Sequence, residues 1–446
     1  MNIRGSDFGQ GFRWGAASAA YQVEGAWNVH GKGKSVWDVF SSNMEKTYAG
    51  QNGDIACDFY HRFVYDLSIL HELKIPDFRF SISWSRVIPN GIGTMNPAGI
   101  DFYNRVIDLC LELGIEPWVT LYHWDLPFEL EKKGGWANRD VIGWFGSYVG
   151  LCIKHFGDRV KHWMILNEPM VFTGAGYFMG VHAPGRKGLN SFLAAAHHAA
   201  MCQAEGGRIV RSLLADARIG TTFSCSCIQP YNHAFQHVRA AQRVDTLLNR
   251  MFVEPLAGMG YPVNDLKLLQ RLEPFIKDGD ESKLSFRMDF VGVQNYTREV
   301  VAFSPFTPLI WAKVIKAGQR NVETTEMGWE VYPESLYEML LKFSRYDMFN
   351  EIVVTENGAA FPDEVINGQV KDIKRIDYLE QYIRQVLKAK REGVNVTGYF
   401  VWSFTDNFEW AEGYKPRFGL VHVDFETQKR VVKDSGYWYS RLVQGN

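Results

Sequence analysis

Eight short runs of apolar and β-branched residues recur along the chain, with longer amphipathic stretches between them. The runs span residues 12–18, 78–84, 116–122, 162–168, 218–224, 290–296, 351–357 and 396–403. Two of them, FVGVQNY and EIVVTEN, are nearly continuous in hydrophobicity instead of alternating. Such runs belong to strands covered on both faces, as in a parallel sheet. The intervening stretches place apolar residues three or four apart, as Phe63, Leu67, Leu70 and Leu73 do within residues 59–73. Residues 100–113, 141–156, 191–214, 333–343 and 376–391 repeat that helical pattern. Pro333 is expected in the first turn of its helix, where its missing N–H costs nothing. The third helix is expected to stop near Gly157.

Strands alternating with helices allow a closed barrel or a doubly wound sheet. No GxGxxG follows the first run, which weakens the case for a dinucleotide-binding sheet. At 446 residues the chain exceeds the usual size of one core, so two domains are also allowed by length. No Ser/Gly-rich linker, low-complexity tract or solenoid repeat divides it. The reading is α/β: a single (β/α)8 TIM barrel over residues 1–446, with long loops at its C-terminal face. The longest loops, 28–54, 296–332 and 405–430, all follow strands, and that end of a barrel carries the active site.

Composition narrows the partners. A hydrophobic content of 46% with 22% charged residues excludes a disordered chain. A net charge of −2 gives no electrostatic reason to expect nucleic acid or an anionic membrane. The six cysteines, at 57, 110, 152, 202, 225 and 227, show no metal-site spacing and read as reduced core thiols. No signal-peptide run opens the sequence, and no segment reaches membrane-spanning length, so a cytoplasmic protein is expected. The 14 tryptophans fit either a large aromatic core or a pocket that stacks on sugar faces. Trp14, Trp37 and Trp84 are assigned to the core, and the His197-His198 pair to packing instead of metal binding. No metal and no cofactor are expected.

Two carboxylates stand out by position. Glu168 closes the fourth run in WMILNEP, and Glu356 closes the seventh in VVTENG. A lone glutamate at a strand end is usually a surface or capping residue. Two on facing strands of a barrel shift that balance toward chemistry, and cleavage of a glycosidic bond uses such a pair: it needs a proton for the leaving oxygen and a partner for the oxocarbenium charge. A separation of about 5 Å would make the second carboxylate a covalent nucleophile, whereas roughly 6.5–9.5 Å would admit a water and invert the sugar.

The segments GFRWGAASAAYQVEG, RFSISWSRVIP, LYHWDLP, LNEP, TENG, WSFTDNFEWAEGY and RFGLVHVDF together resemble glycoside hydrolase family one, the β-glucosidase and β-galactosidase group. The resemblance covers essentially the whole chain. It implies a retaining β-glycosidase, with Glu168 as acid/base and Glu356 as nucleophile. It further implies that Gln22, His123, Asn167, Glu409, Trp402 and Trp410 bind the sugar, that Trp329 flanks the leaving group, and that Arg79, Asn295 and Tyr296 support the nucleophile. The substrate would be a small β-glycoside or short oligosaccharide, with glucose, galactose and fucose all open. An acidic Glu409 separates the chain from relatives that cleave 6-phosphosugars. Two other readings stand beside this one: a transglycosylase using the same intermediate, and a non-catalytic sugar-binding barrel.

Overall fold

The computed structural model describes residues 3–445. Eight parallel strands close into a barrel. They are β1 (Arg13–Ala17), β2 (Asp77–Ser81), β3 (Glu116–Tyr122), β4 (His162–Asn167), β5 (Arg218–Ser224), β6 (Phe290–Gln294), β7 (Glu351–Asn357) and β8 (Val396–Trp402). Each pairs with the next in sequence, and β8 pairs with β1 through Ala17 and Trp402. Every expected run became a strand. Helices lie between them: α1 (Phe59–Glu72), α2 (Pro97–Glu112), α3 (Val141–Phe156), α4 (Leu189–Leu213), α5 (Phe235–Asp245), α6 (Glu334–Phe343), α7 (Ile373–Arg391) and α8 (Asp434–Val443). Pro333 sits one residue before α6 with helical backbone, and Gly157 caps α3.

The barrel lumen is filled by side chains and is not a pore. Trp118 stacks on His162 at 3.9 Å between ring centroids and meets Phe400 edge-on at 4.9 Å. Large rings fit because glycines face them: a Cβ on Gly15 would lie 2.3 Å from the Phe400 ring, and one on Gly220 would lie 2.4 Å from Phe290. Outside the barrel the helices bury one stripe each. On α1 this stripe contains Phe59, Phe63, Leu67 and Leu70, but also a charge: Asp66 accepts from Arg430 Nε at 2.8 Å. Trp14, Trp37 and Trp84 are buried, as expected. His197 and His198 are held by Tyr261, Asp280 and the Trp136 carbonyl.

The long loops carry structure that periodicity does not mark. Within 296–332, strands Arg298–Phe303 and Ala312–Val314 join Cys227–Pro230 in a three-stranded sheet beside the barrel mouth. Within 405–430, Val421–Val423 opens a hairpin completed by Arg430–Val432. These strands are short, and all but Val421–Val423 are partly exposed, so they lack the continuous apolar run of a barrel strand.

A buried ion network ties the last two βα connections together. Lys433 Nζ donates to Asp406 Oδ1 at 2.7 Å and also to Asp363. Arg375 joins Asp363 at 2.9 Å, and Arg417 joins Asp406 at 2.8 Å. The Lys433 side chain has no solvent exposure. Removing one partner of such a network strands the others in low dielectric. Lys433→Met should therefore destabilise the fold by about 3–5 kcal/mol, read as a lower denaturant midpoint by circular dichroism. A midpoint equal to that of the wild type would mean the network contributes no net stability.

Candidate active site

The C-terminal ends of the strands converge on one mouth. β4 ends at Asn167, and Glu168 follows in left-handed backbone (φ 48°) before Pro169 opens a short helix. The Glu168 N–H donates to Thr222 O on β5 at 3.0 Å, which fixes this turn. Glu356 is the penultimate residue of β7 and lies in register with Gln294 on β6. Trp124 (φ 76°) and Trp410 (φ 51°) also take left-handed backbone at this mouth. Non-glycine residues held there cost about 1–3 kcal/mol each, and such strain gathers at functional sites.

Glu356 is surrounded by donors. Arg79 Nη1 and Gln294 Nε2 donate to its Oε1, the second at 2.8 Å, and the Tyr296 hydroxyl donates to Oε2 at 2.7 Å. Glu168 has a long contact with Asn167 Nδ2, at 3.5 Å, and the Ser224 side chain as its donors. Burial pushes the Glu168 carboxyl well above its ordinary value, and the charge of Glu356 pushes it further. Burial raises Glu356 as well, but Arg79 and Tyr296 oppose it. Of this coupled pair, Glu356 therefore ionises first and Glu168 keeps the proton.

The two carboxylates line a cavity of about 310 Å³ together with His123, Tyr296, Trp329, Trp402, Glu409 and Trp410. Burial, then the charge of Arg79, drives the His123 pKa well down, so its imidazole is neutral. Its Nε2 lies 3.0 Å from Asn167 Nδ2. Glu409 Oε2 accepts from Gln22 Nε2 at 3.3 Å, which sets Gln22 beside Glu409. Burial pushes Glu409 up to about 8, with the charge of Glu356 adding to it. Trp410 packs against Trp37 and Trp124 with centroids 4.7 and 4.5 Å away. Trp329 packs 5.2 Å from Tyr296 on the other side.

Asn295 does not reach the Glu356 carboxylate. Its side chain donates to Cys225 O at 2.9 Å and accepts from Ser335 Oγ at 2.7 Å. Strand side chains alternate, so Gln294 turns into the lumen and Asn295 turns out toward α6. Asn295 meets Glu356 only through its backbone N–H, at 3.3 Å. Gln294 makes the side-chain contact and also reaches Asn167 Oδ1 at 2.8 Å. Counting two residues along β6 from Gly292 finds it. Trp124 was also unassigned: it lines the cavity, and its Nε1 donates to Asn167 O at 3.0 Å.

Two strand-borne carboxyls, one ionised and one protonated, in a pocket walled by indole rings are the elements of glycoside hydrolysis. Residues 5–446 match glycosyl hydrolase family 1. The chain belongs to that family. It is 44% identical to β-glucosidase A of Thermotoga maritima, over 100% of this chain and 99% of that one. It is 43% identical to the 1,4-β-D-glucan glucohydrolase of Thermotoga neapolitana, over 98% of each. The family 1 β-glucosidase structure from Thermotoga maritima in complex with isofagomine lactam superposes with a TM-score of 0.94 at 42% identity, over 100% of each chain. The protein is thus a glycoside hydrolase on a TIM barrel.

In this family 1 site Gln294 offers a direct test. Its amide favours the charged form of Glu356, so its removal should raise the Glu356 pKa. For a carboxyl that acts in its ionised form, the acidic limb of kcat/KM should then move to higher pH in Gln294→Ala. Turnover should fall on the order of 10²-fold, as for loss of one preorganised donor. A pH–rate profile checks both. Lost activity with a stationary acidic limb would show that Gln294 acts through packing alone.

Proposed function

We propose that the chain is a retaining β-glucosidase that releases non-reducing terminal glucosyl residues from small β-glucosides or short oligosaccharides. The observation that carries the reading is the contrast between the two carboxyls: Glu356 takes three donors, and Glu168 sits buried beside its charge. In this reading Glu356 attacks the anomeric carbon while Glu168 protonates the leaving oxygen. Esterification then removes the Glu356 charge, so Glu168 becomes a stronger acid and its conjugate base deprotonates the incoming water. Gln22, His123, Asn167, Glu409, Trp402 and Trp410 would bind the sugar. The named substrates of the relatives and the isofagomine lactam bound to one of them support glucose as the glycone. All 446 residues would act as one catalytic barrel domain. No helix among the described residues is long and apolar enough to cross a membrane, and six buried free cysteines support residence in the reducing cytoplasm.

Paired variants test the two roles. Glu168→Ala should slow β-glucosides of poor leaving groups by about 10²–10⁴-fold while sparing activated nitrophenyl glucosides, because only the former need the proton. Glu356→Gly should lose both, and added azide should return activity through a glycosyl azide of inverted configuration. Equal losses across leaving groups in Glu168→Ala would remove that residue from the acid role.

Glu409 tests the glycone. A 6-phosphate adds a charge of about −1.5 to −2 to a desolvated pocket that already holds Glu356 and Glu409. Nitrophenyl β-glucoside should exceed its 6-phosphate in kcat/KM by roughly 10⁴-fold. Glu409→Ser should narrow that ratio and slow the neutral substrate. Comparable wild-type rates on the two substrates would overturn the assignment.

A further inference from the structure

The catalytic cavity holds a carboxylate that the mechanism does not use. Glu299 is the second residue of the strand Arg298–Phe303 and lines the cavity with Glu168, Glu356, Glu409 and Glu412. It is half-buried. Among the described residues it accepts no hydrogen bond and forms no ion pair. The guanidiniums near it are committed elsewhere. Arg298 donates twice to Glu330, at 2.9 and 2.8 Å, and once to Gln229 Oε1 at 2.7 Å. Arg320 pairs with the same Glu330. Among the described residues no lysine or arginine lines the cavity.

Its place in the barrel assigns it a side. Three of the residues proposed to hold the sugar, Gln22, His123 and Glu409, follow β1, β3 and β8. Glu299 follows β6, and the cavity wall beside it is built from Ser224 at the end of β5, Ser226 just after it, and Thr297. The two catalytic carboxyls stand between these walls, on β4 and β7. A group attached through the scissile oxygen and pointing away from the sugar wall faces the part of the cavity lined by Ser226, Thr297 and Glu299.

We infer that Glu299 is a specificity-determining residue of the leaving-group subsite, selecting leaving groups that carry a protonated amine over those that carry a carboxylate. A cation there completes an ion pair that the protein leaves open, in a partly desolvated cavity where charge effects exceed those in bulk water. An anion there adds to a wall that already carries carboxylates and meets no compensating base. Burial raises the Glu299 carboxyl, with Arg320 opposing, so a cationic group would also hold it ionised. The inference rests on the glycosidase reading above.

The test compares three aryl β-glucosides on one enzyme: 4-nitrophenyl, 4-(aminomethyl)phenyl and 4-carboxyphenyl. The readout is kcat/KM, which covers the step in which the leaving group is still bound. Each charged substrate is referred to the nitrophenyl glucoside of the same variant, so a general loss of activity cancels, as does the intrinsic reactivity of each phenol between variants. Glu299→Gln should lower the amine-to-carboxylate ratio about tenfold, and Glu299→Lys should invert the preference. Raising ionic strength should shrink the wild-type ratio and leave that of Glu299→Gln nearly flat. Ratios unchanged in both variants would make Glu299 an ordinary solvated carboxylate and overturn the inference. Failure of the wild type to cleave nitrophenyl glucoside would instead sink the glycosidase reading. Glu299 would then be judged by calorimetric binding of the S-linked aminomethyl and carboxyl analogues to wild type and Glu299→Gln, with the same tenfold change expected and its absence decisive.

Discussion

A guanidinium without solvent exposure sits where the barrel lumen opens into the cavity. Arg79 contributes to four strands: it leaves β2, contacts Thr120 on β3, donates to Asn167 on β4, and meets the Thr355 carbonyl and Glu356 on β7. Burying a cation costs several kcal/mol unless an anion and further acceptors offset it. The lumen supplies one anion within reach, so Glu356 must be ionised for Arg79 to be tolerated. That requirement settles the second carboxyl. Glu168 shares the cavity with a fixed negative charge and has no guanidinium of its own, so its proton stays. The difference in charge between the two glutamates thus follows from where a single arginine is buried. It also explains why Tyr296 and Gln294 both aim donors at Glu356 and neither at Glu168.

Much of this was legible in the sequence, and the reason is the barrel itself. A strand covered on both faces must be apolar along its whole length, so FVGVQ and EIVVTEN announce themselves. A polar residue at the end of such a run has one place to go, the mouth, and that logic located Glu168 and Glu356. It failed where the run gave no end point. The expected strand 290–296 stops at Gln294 in the structure. An error of two residues preserves the pleat, yet it hid which amide faces inward. Gln294 and Asn295 are both carboxamides, so residue type could not separate them. The backbone alternation does, and it gives the inward position to Gln294.

The loops were less legible because charge, not hydrophobic period, organises them. Asp66 lies on the buried stripe of α1, where a carboxylate is unexpected until Arg430, 364 residues away, is seen against it. The same holds for Asp363, Asp406 and Lys433. Each reads as a solvated surface residue in sequence, and each is buried or nearly so by its partners. Pairings this distant leave no periodic trace. They nevertheless fix the entry of residues 405–430, the loop that brings Glu409 to the cavity.

Asp406 and Glu409 show how that loop divides structure from chemistry. They are three residues apart, and both are enclosed. Burial alone would raise Asp406, but Lys433 and Arg417 hold it below its ordinary value, so it is an anchored anion. Glu409 has an amide from Gln22 and the Trp402 side chain as its donors, and burial with the charge of Glu356 pushes it up to about 8. A carboxyl left that far from its preferred state gains from any ligand that donates hydrogen bonds to it. The same can be said of two buried atoms near it, Gln22 Oε1 and His123 Nδ1, which lack a protein partner among the described residues. A network completed by the protein, as at Asp406, rigidifies the loop. One left incomplete leaves a carboxylate, an amide oxygen and a neutral imidazole free to exchange hydrogen bonds with a ligand that carries both donors and acceptors. The fold thus places its cations at the base of the loop and none at its tip, and that distribution suits the tip to hydrogen-bond donors and not to an anion.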